Sequence, residues 1–205
     1  MVGIVVLAAG GSTRLGTPKQ LVTWQGRTLL RRAVETAVEA AAPAGGSRVI
    51  VVLGAEAERM RTELAGLDVR VAENPRWQEG LSTSLRAGLE ALQAPSAGAA
   101  PVDAVLFTTC DQPRITAGTL RALTAAYGVT RPAVVACAYA SAVGVPALFD
   151  RALFAELLAL SGDAGAKQVI ARHRDRLVAV PAPDAAFDVD TALDARRLAD
   201  RAPES

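Results

Sequence analysis

Short apolar runs alternate with segments of helical periodicity along almost the whole chain. Three aliphatic runs, residues 2–8, 48–53 and 103–109, are predicted to be buried strands. Apolar side chains recur every three or four residues within 27–42 and 81–92, which is typical of amphipathic helices. Because parallel strands need a crossover helix between them, this alternation predicts a three-layer, Rossmann-like α/β fold with a mostly parallel central sheet. Ligands bind beyond the carboxyl ends of such strands, so functional residues are expected there.

The composition of the chain indicates the class of protein to which it belongs. The chain has 205 residues, of which 51% are hydrophobic and 21% charged, which predicts one globular domain spanning residues 1–205. Its net charge of +1 gives no reason to expect nucleic acid or a membrane as a partner. The first apolar run is too short to span a membrane and follows no basic leader, so a cytoplasmic protein is expected. Cys110 and Cys137 lack metal-ligand spacing and are expected to be reduced thiols.

The first functional motif is LAAGGSTRLGTPKQL, residues 7–21, where a predicted strand runs into small residues. Small side chains let the backbone approach a ligand and aim its N–H groups at phosphate oxygens. Arg14 and Lys19 supply cations that can follow charge as pyrophosphate leaves. The spacing matches neither the GxGxxG nor the GxxxxGK[ST] phosphate loop. The residues predicted to bind a nucleotide here are Leu7, Ala8, Ala9, Gly10, Gly11, Ser12 and Gly16.

The lysines are rare enough to be informative. Of 22 basic residues only Lys19 and Lys167 are lysines, although the chain uses arginine freely elsewhere. Arginine does not replace lysine where a compact point charge is needed. Both lysines are therefore predicted to be functional, whereas the single histidine, His173 within RHRDR, is interpreted as a solvated surface residue.

A second motif, NPRWQEGLSTSLRAGL, occupies residues 74–89 and leads into a predicted helix. N–H groups at a helix N-terminus attract anions, so Gly80, Ser82 and Ser84 are candidates for nucleotide binding. Asn74 offers both donors and acceptors and could meet a base edge. Trp77 is interpreted as a packing residue.

Acidic residues occur in two further motifs. Asp111 in TTCDQP ends a hydrophobic strand, and Asp188 and Asp190 alternate within FDVDT. Mg²⁺ prefers few carboxylates together with phosphate oxygens and water, so Asp111 with one of these two would suffice. In GDAGAK, residues 162–167, Asp163 is either a helix cap or a site residue, and Lys167 could meet a phosphate.

The order of these motifs resembles that of the MobA-like nucleotidyltransferases over residues 3–198. Residues 7–21 match each fixed position of LAAGxSxRxGxPKxL, which resembles the molybdenum cofactor cytidylyltransferases in particular. The guanylyltransferase relatives typically carry a second glycine and an Asp before the Lys, where this chain has Ala9 and Pro18. Residues 74–89 and 187–191 resemble the second signature and the D-x-D-T segment of the family.

This resemblance implies a nucleotidyltransferase fold and transfer of CMP from CTP to the phosphate of the molybdenum–molybdopterin cofactor. It implies Mg²⁺ on Asp111 and Asp190, and catalytic roles for Arg14, Lys19 and Lys167. It further implies that a molybdenum hydroxylase could be a partner. Three alternatives stay open: another phosphorylated acceptor, such as a sugar phosphate or methylerythritol phosphate; a nucleotide- or cofactor-binding chaperone without turnover; and an oxidoreductase on a dinucleotide-binding fold. The absent GxGxxG weakens the last of these.

Overall fold

Seven strands form one sheet in the computed structural model, which describes residues 1–12, 15–42, 48–95, 101–140 and 142–200. The strands are β1 (Val2–Ala8), β4 (Val49–Leu53), β5 (Arg70–Glu73), β6 (Ala104–Thr109), β7 (Val134–Tyr139), β8 (Ala142–Asp150) and β9 (Leu177–Pro181). Their order across the sheet is β5-β4-β1-β6-β8-β7-β9. A separate antiparallel hairpin pairs β2 (Thr23–Trp24) with β3 (Arg27–Thr28). Four of the six neighbouring pairs in the large sheet are parallel, which confirms the mostly parallel fold.

Strand β8 is the exception, because it runs antiparallel to both β6 and β7. Residues 144–149 of this strand read GVPALF, and no strand was predicted there from the sequence. Gly144 and Pro146 disfavour a central strand, since glycine has no side chain to pack and proline has no N–H for the ladder. The structure accommodates them with a shift in the β7–β8 register between Ala136 and Cys137, which leaves Val145 and Pro146 outside the ladder.

Helices cover both faces of the sheet, as the three-layer prediction requires. Helices α1 (Leu29–Ala41), α2 (Ala57–Glu63) and α4 (Ala117–Thr130) bury apolar side chains against one face. Helices α3 (Leu81–Gln93), α5 (Phe154–Leu158) and α6 (Ala166–Arg172) cover the other. No helix in the described ranges is long and apolar enough to cross a membrane.

The last helix, α7 (Ala192–Ala199), positions the acidic segment that precedes it. Thr191 and Asp194 form a capping box, in which the Thr191 side chain accepts from the Asp194 N–H and Asp194 accepts from the Thr191 N–H. A small apolar cluster then joins Val189 to Leu29 of α1 and Leu198 of α7. Residues 187–190 are therefore held beside the start of α1, close to the loop that follows β1.

Candidate active site

The loop after β1 and the residues after β6 meet at one edge of the sheet. Strands β1 and β6 are parallel neighbours, and Leu7 pairs with Thr109 at their carboxyl ends. From β1 the chain continues to β4 on one side, and it later returns to β6 on the other side. A sheet whose connections diverge in this way leaves a crevice beyond those ends, where ligands bind.

A buried glutamine organises the loop that follows β1. Gln20 is 1% exposed, and its Nε2 donates to the carbonyls of Ala8 at 2.8 Å and Gly10 at 2.7 Å. Ser12 Oγ donates to Gln20 Oε1 at 3.2 Å and accepts from the Lys19 N–H at 2.9 Å. These hydrogen bonds hold the first residues of the loop and the backbone of Lys19 in place. Sequence reasoning did not select Gln20, because its position is variable in the motif that the chain resembles.

The glycines of this loop have different tasks. A Cβ on Gly11 would lie 2.8 Å from the Trp77 ring, so Gly11 is small because Trp77 packs on it. Within the described residues, and apart from its two chain neighbours, no atom lies within 4 Å of the Gly10 Cβ position, which leaves open space beside its backbone. Gly16 has φ +75°, a conformation that glycine adopts without strain. The interpretation of Trp77 as a packing residue agrees with these contacts and with its place beside the core.

The residues before Gly10 support the loop from within the protein. Leu7, Ala8 and Ala9 are 8%, 2% and 3% exposed, and the Ala9 methyl would lie 2.8 Å from a Cβ on Gly54. Their side chains are therefore largely enclosed by the protein. Contact of the main chain at this point with a phosphate stays a prediction. Arg14 lies outside the described residues.

Three charged side chains from distant parts of the chain converge in the crevice. Lys19 Nζ lies 2.5 Å from Asp111 Oδ2 and 3.0 Å from Asp190 Oδ1. The backbone N–H of Val189 donates to the Asp111 carbonyl at 2.8 Å, which holds the segment carrying Asp190 against the end of β6. The side chains of Lys19 and Asp111 are about four-fifths buried, and that of Asp190 is 37% exposed.

The electrostatics of Lys19 follow from these two neighbours. Burial alone would lower its pKa, but the negative charge of Asp111 and the hydrogen bonds to Asp111 and Asp190 outweigh burial and raise the pKa. Lys19 is therefore a permanent cation between two carboxylates at any physiological pH. The group as a whole carries a net negative charge, which suits a site that recruits a further cation.

A second buried glutamine ties the site to β8. Gln112 is 4% exposed, and its Nε2 donates to the Ala185 carbonyl at 2.9 Å and to the Val145 carbonyl at 3.3 Å. Gln112, which directly follows Asp111, is thereby bonded both to β8 and to the residues just before the Asp188–Asp190 segment. Nothing in its sequence context distinguishes it from a surface polar residue, so it was not selected.

Asp188 and Lys167 lie to one side of this group. Burial and the negative charge of Asp111 raise the pKa of Asp188, which forms no salt bridge to Lys19. Burial, with a smaller effect of the Asp188 charge, raises the pKa of Tyr139. The Tyr139 hydroxyl and Lys167 Cε lie 2.4 Å and 3.6 Å from the Cβ position of Gly144. Lys167 is exposed on α6, and its role toward a phosphate stays a prediction.

Asn74 is committed to contacts within the protein. It is 3% exposed, and its Nδ2 donates to Thr83 Oγ1 at 2.8 Å and to Ser84 Oγ at 3.0 Å. Its Oδ1 accepts from the Arg76 N–H at 3.0 Å. Asn74 therefore joins the end of β5 to the first turn of α3. A role of Asn74 and Ser84 in nucleotide binding stays a prediction, and their hydrogen bond shows that they also brace the start of α3.

The N-terminus of α3 is covered as well. The Ser82 N–H donates to the Gly162 carbonyl at 3.1 Å, and a Cβ on Gly80 would lie 2.3 Å from that carbonyl. Gly80 has φ +112°, so both its conformation and its surroundings require glycine. The Ser82 N–H thus has a partner within the protein, and nucleotide binding by Gly80 and Ser82 stays a prediction. Asp163 is not the N-cap of α6, because Gly165 occupies that position and offers no side-chain hydrogen bond.

Asp111 and Asp190 are suited to a small divalent cation. Their oxygens already surround one positive charge, and two carboxylates leave the remaining positions for phosphate oxygens and water, as Mg²⁺ prefers. Across the described ranges no cluster of three or more His, Cys, Asp or Glu could hold a metal, so a closed protein cage is absent from them. Cys110 is buried, which raises its pKa to about 12 and keeps the thiol protonated.

Comparison with known proteins agrees with this geometry. The model of the MobA-like NTP transferase domain matches residues 4–177. The chain is 32% identical over 184 residues to nicotine blue oxidoreductase of Paenarthrobacter nicotinovorans, which covers 85% of this chain and 83% of that protein. It is 29% identical over 90 residues to the molybdenum cofactor cytidylyltransferase of Escherichia coli K12, covering 43% and 44% of the two chains.

A solved structure matches over nearly the full length. Rv0371c of Mycobacterium tuberculosis H37Rv superposes with a TM-score of 0.79 at 33% identity, covering 98% of each chain. Its complex with manganese has a TM-score of 0.73 at 32% identity, covering 98% of this chain and 99% of that one. Nucleotidyltransferases typically use divalent metals, which fits the paired carboxylates described above. The chain belongs to the MobA-like NTP transferase family and is a nucleotidyltransferase by fold and by family.

Proposed function

We propose that this protein transfers the cytidylyl group of CTP to a phosphate-bearing acceptor, and that the acceptor is molybdopterin carrying molybdenum. The observation that carries the proposal is the placement of Lys19 between Asp111 and Asp190 at the carboxyl ends of β1 and β6. Nucleotidyl transfer needs carboxylates for a divalent metal and a cation for the leaving pyrophosphate, and this group supplies both.

The reaction requires little covalent chemistry from the protein. A phosphate oxygen of the acceptor attacks the α-phosphorus of CTP, and the bond from that phosphorus to pyrophosphate breaks. The attacking oxygen is already deprotonated near neutral pH, so no general base is needed. The chain contributes positioning and neutralisation of charge.

Each residue of the group has a defined task in this proposal. Asp111 and Asp190 would hold Mg²⁺, which when bound neutralises charge on the oxygens of the acceptor and the α-phosphate. Lys19 would leave the carboxylates and take up charge on the leaving pyrophosphate. Gly10 gives the phosphates access to the backbone. Arg14 and Lys167 are proposed to add positive charge from the two sides of the crevice.

The base and the acceptor are proposed from resemblance. The loop pattern with Ala9 and Pro18 favours cytosine over guanine, and the relative from Escherichia coli is named for the same transfer. Because the Ala9 methyl packs toward Gly54, any selectivity that depends on Ala9 would act through the path of the backbone and not through direct contact with the base.

A nucleotide panel tests the proposal. Pyrophosphate release is measured with CTP, GTP, ATP and UTP in the presence of Mg²⁺ or Mn²⁺, with and without purified molybdopterin cofactor. CTP with the cofactor is expected to give the highest rate, and Asp111→Asn is expected to give none above background. A preference for GTP would overturn the choice of base. Turnover with CTP and methylerythritol phosphate or a sugar phosphate alone would overturn the choice of acceptor. Binding of CTP without turnover would favour a chaperone.

One observation favours a second candidate, an oxidoreductase. The relative from Paenarthrobacter nicotinovorans, which covers 85% of this chain, is named for such an activity. Hydride transfer has no use for two carboxylates that share a cation, and for that reason we rank it second. Oxidation of NADH or NADPH with a quinonoid dye as acceptor tests it: activity that survives Asp111→Asn and excess chelator would favour this candidate over nucleotidyl transfer.

A further inference from the structure

A second concave surface lies beside α1, the β2–β3 hairpin and residues 113–117. It encloses about 580 Å³, which is within the range of small-molecule sites. Lys19, Asp111 and Asp190 are not among its lining residues, so this surface is separate from the crevice. We call it the arginine groove, and its charged and aromatic lining includes Trp24, Arg32, Glu35, Glu39, Arg114 and Asp184.

Two guanidinium groups of the groove lie over aromatic rings. Arg32 Cζ lies 4.2 Å from the centre of the Trp24 ring, and Arg114 Cζ lies 4.1 Å from the centre of the Phe187 ring. Stacking occupies the face of a guanidinium and leaves its N–H groups directed outward in the plane. Arg32 Nε also donates to the carbonyl of Pro113 at 3.3 Å. Because Pro113 directly precedes Arg114 in the chain, this hydrogen bond holds Arg32 near Arg114.

The acidic residues of the groove are largely neutralised by other cations. Glu35 forms salt bridges with Arg27 and with Arg31, the latter at 3.0 Å. Glu39 pairs with Arg121 at 3.5 Å. Asp184 is left without a salt bridge, considering only the described part of the chain.

The two stacked arginines have no such partner. Neither Arg32 nor Arg114 forms a salt bridge to any residue that the structure describes. Burial lowers the pKa of Arg32, and the positive charge of Arg27 lowers it further, against a smaller opposing effect of Glu35. The groove therefore holds two guanidiniums and one carboxylate, that of Asp184, without salt bridges to the described residues, so these three groups together carry a net positive charge.

We propose that the arginine groove binds a small phosphorylated metabolite, whose phosphate accepts hydrogen bonds from Arg32 and Arg114. Planar guanidiniums match phosphate oxygens in paired hydrogen bonds, and stacking on Trp24 and Phe187 has already restricted their side-chain freedom. The volume leaves room for the rest of a phosphate monoester beside the ring of Trp24. This proposal does not depend on the reaction proposed for the crevice.

Trp24 provides a direct readout. The chain has two tryptophans, so Trp77→Phe leaves Trp24 as the single tryptophan, lying against Arg32, and excitation selective for tryptophan avoids the two tyrosines. Titration with inorganic phosphate, and separately with glucose 6-phosphate, is expected to give a saturable change in its emission at constant ionic strength. The monoester is expected to bind at least as tightly as inorganic phosphate, and sodium acetate is expected to give no saturable change.

Variants separate the groove from the crevice. Arg32→Gln and Arg114→Gln are each expected to weaken the apparent affinity for phosphate by about tenfold or more. Arg70→Gln, which removes the same charge from an exposed position on β5, and Lys19→Met, which alters the crevice, are expected to leave it unchanged. Calorimetric titration of the wild-type protein repeats the measurement with Trp77 intact. Absence of saturable binding, or equal loss in Arg70→Gln, would overturn the proposal, and loss only in Lys19→Met would assign the phosphate to the crevice.

Discussion

Two motifs of this chain are equally rich in small and polar residues, yet they differ in what their polar groups contact. In the loop that ends at Lys19, ionised side chains meet across the crevice, and the Lys19 ammonium joins Asp111 to Asp190. In the second motif, the amide of Asn74 is enclosed by Thr83 and Ser84. The first arrangement carries charge that a ligand can rearrange. The second is a closed set of neutral hydrogen bonds.

The comparison shows that the polar residues of a motif can either contact a ligand or stabilise the fold. A paired ion group at the end of parallel strands can exchange its partners for a metal and phosphates. A buried neutral network holds its side chains in place through its internal hydrogen bonds, and disturbing it costs stability instead. Variants in the two regions should therefore fail in different ways, one in turnover and the other in folding.

The largest effect is expected at Asp111. Asp111→Asn removes one of the two carboxylates proposed to hold the metal, and turnover should fall by roughly a hundredfold to a thousandfold. The melting temperature should stay near that of wild type, because Lys19 keeps its salt bridge with Asp190. Pyrophosphate release and thermal unfolding measure the two quantities. Asp188→Asn is the matched control, and a loss as large as that of Asp111→Asn would mean that Asp188 is the second ligand.

The second largest effect on turnover is expected for Lys19→Arg. The variant keeps the charge but replaces a compact ammonium with a planar fork in a space bounded by two carboxylates and a braced loop. Turnover should fall by about tenfold to a thousandfold, the range for removing one charge-stabilising donor. Lys167→Arg should lose less, because Lys167 is exposed and forms no part of the salt-bridged group of Lys19, Asp111 and Asp190. Steady-state kinetics on both variants decides the matter, and full activity in Lys19→Arg would remove Lys19 from the mechanism.

Asn74→Ala tests the other side of the comparison. The change removes three hydrogen bonds from a buried network, so the free energy of unfolding should drop by about 1–3 kcal/mol. The melting temperature should fall by several degrees, while turnover and the ranking of nucleotides stay close to wild type. A variant that melts normally but loses its preference among nucleotides would show that Asn74 reads the base.

The smallest effect concerns metal binding without nucleotide. In this state Lys19 already satisfies both carboxylates, so a metal must displace it. Lys19→Met removes the competitor and should tighten the binding of Mn²⁺ by roughly tenfold, equivalent to about 1.4 kcal/mol. Electron paramagnetic resonance of free Mn²⁺ gives the affinity directly, with Lys167→Met as control. Weaker binding in Lys19→Met would mean that the lysine helps to form the metal site.

The fold was predictable where local sequence patterns determine it. The run Val2–Ala8 and the regular spacing of leucines in α3 are local patterns, and the structure has both elements. Strand β8 was missed because its pairing depends on a register shift opposite β7, which Gly144 and Pro146 conceal in the sequence. The hairpin Thr23–Thr28 was missed because its strands have only two residues each.

The convergence of the site was predictable for a topological reason. Residues that follow parallel strands must meet at the same edge of the sheet. The sequence alone therefore predicts that Asp111 and Lys19 lie near each other. The partners of Asn74 and Gln20 could not, because hydrogen bonds between side chains depend on ångström-scale placement that no spacing rule encodes. The sequence also gave no indication that Lys19 would bridge the two carboxylates.

The salt bridges of Lys19 have a consequence for biosynthesis. Its partners lie 92 and 171 residues further along the chain. Ribosomes add roughly 5–20 residues per second, so about 9–34 s separate the synthesis of Lys19 from that of Asp190. Throughout that interval the nascent chain carries the glycine-rich loop without the complete charge group. The emerging protein thus completes its pair of proposed metal ligands only after β9, when Asp190 has been synthesised.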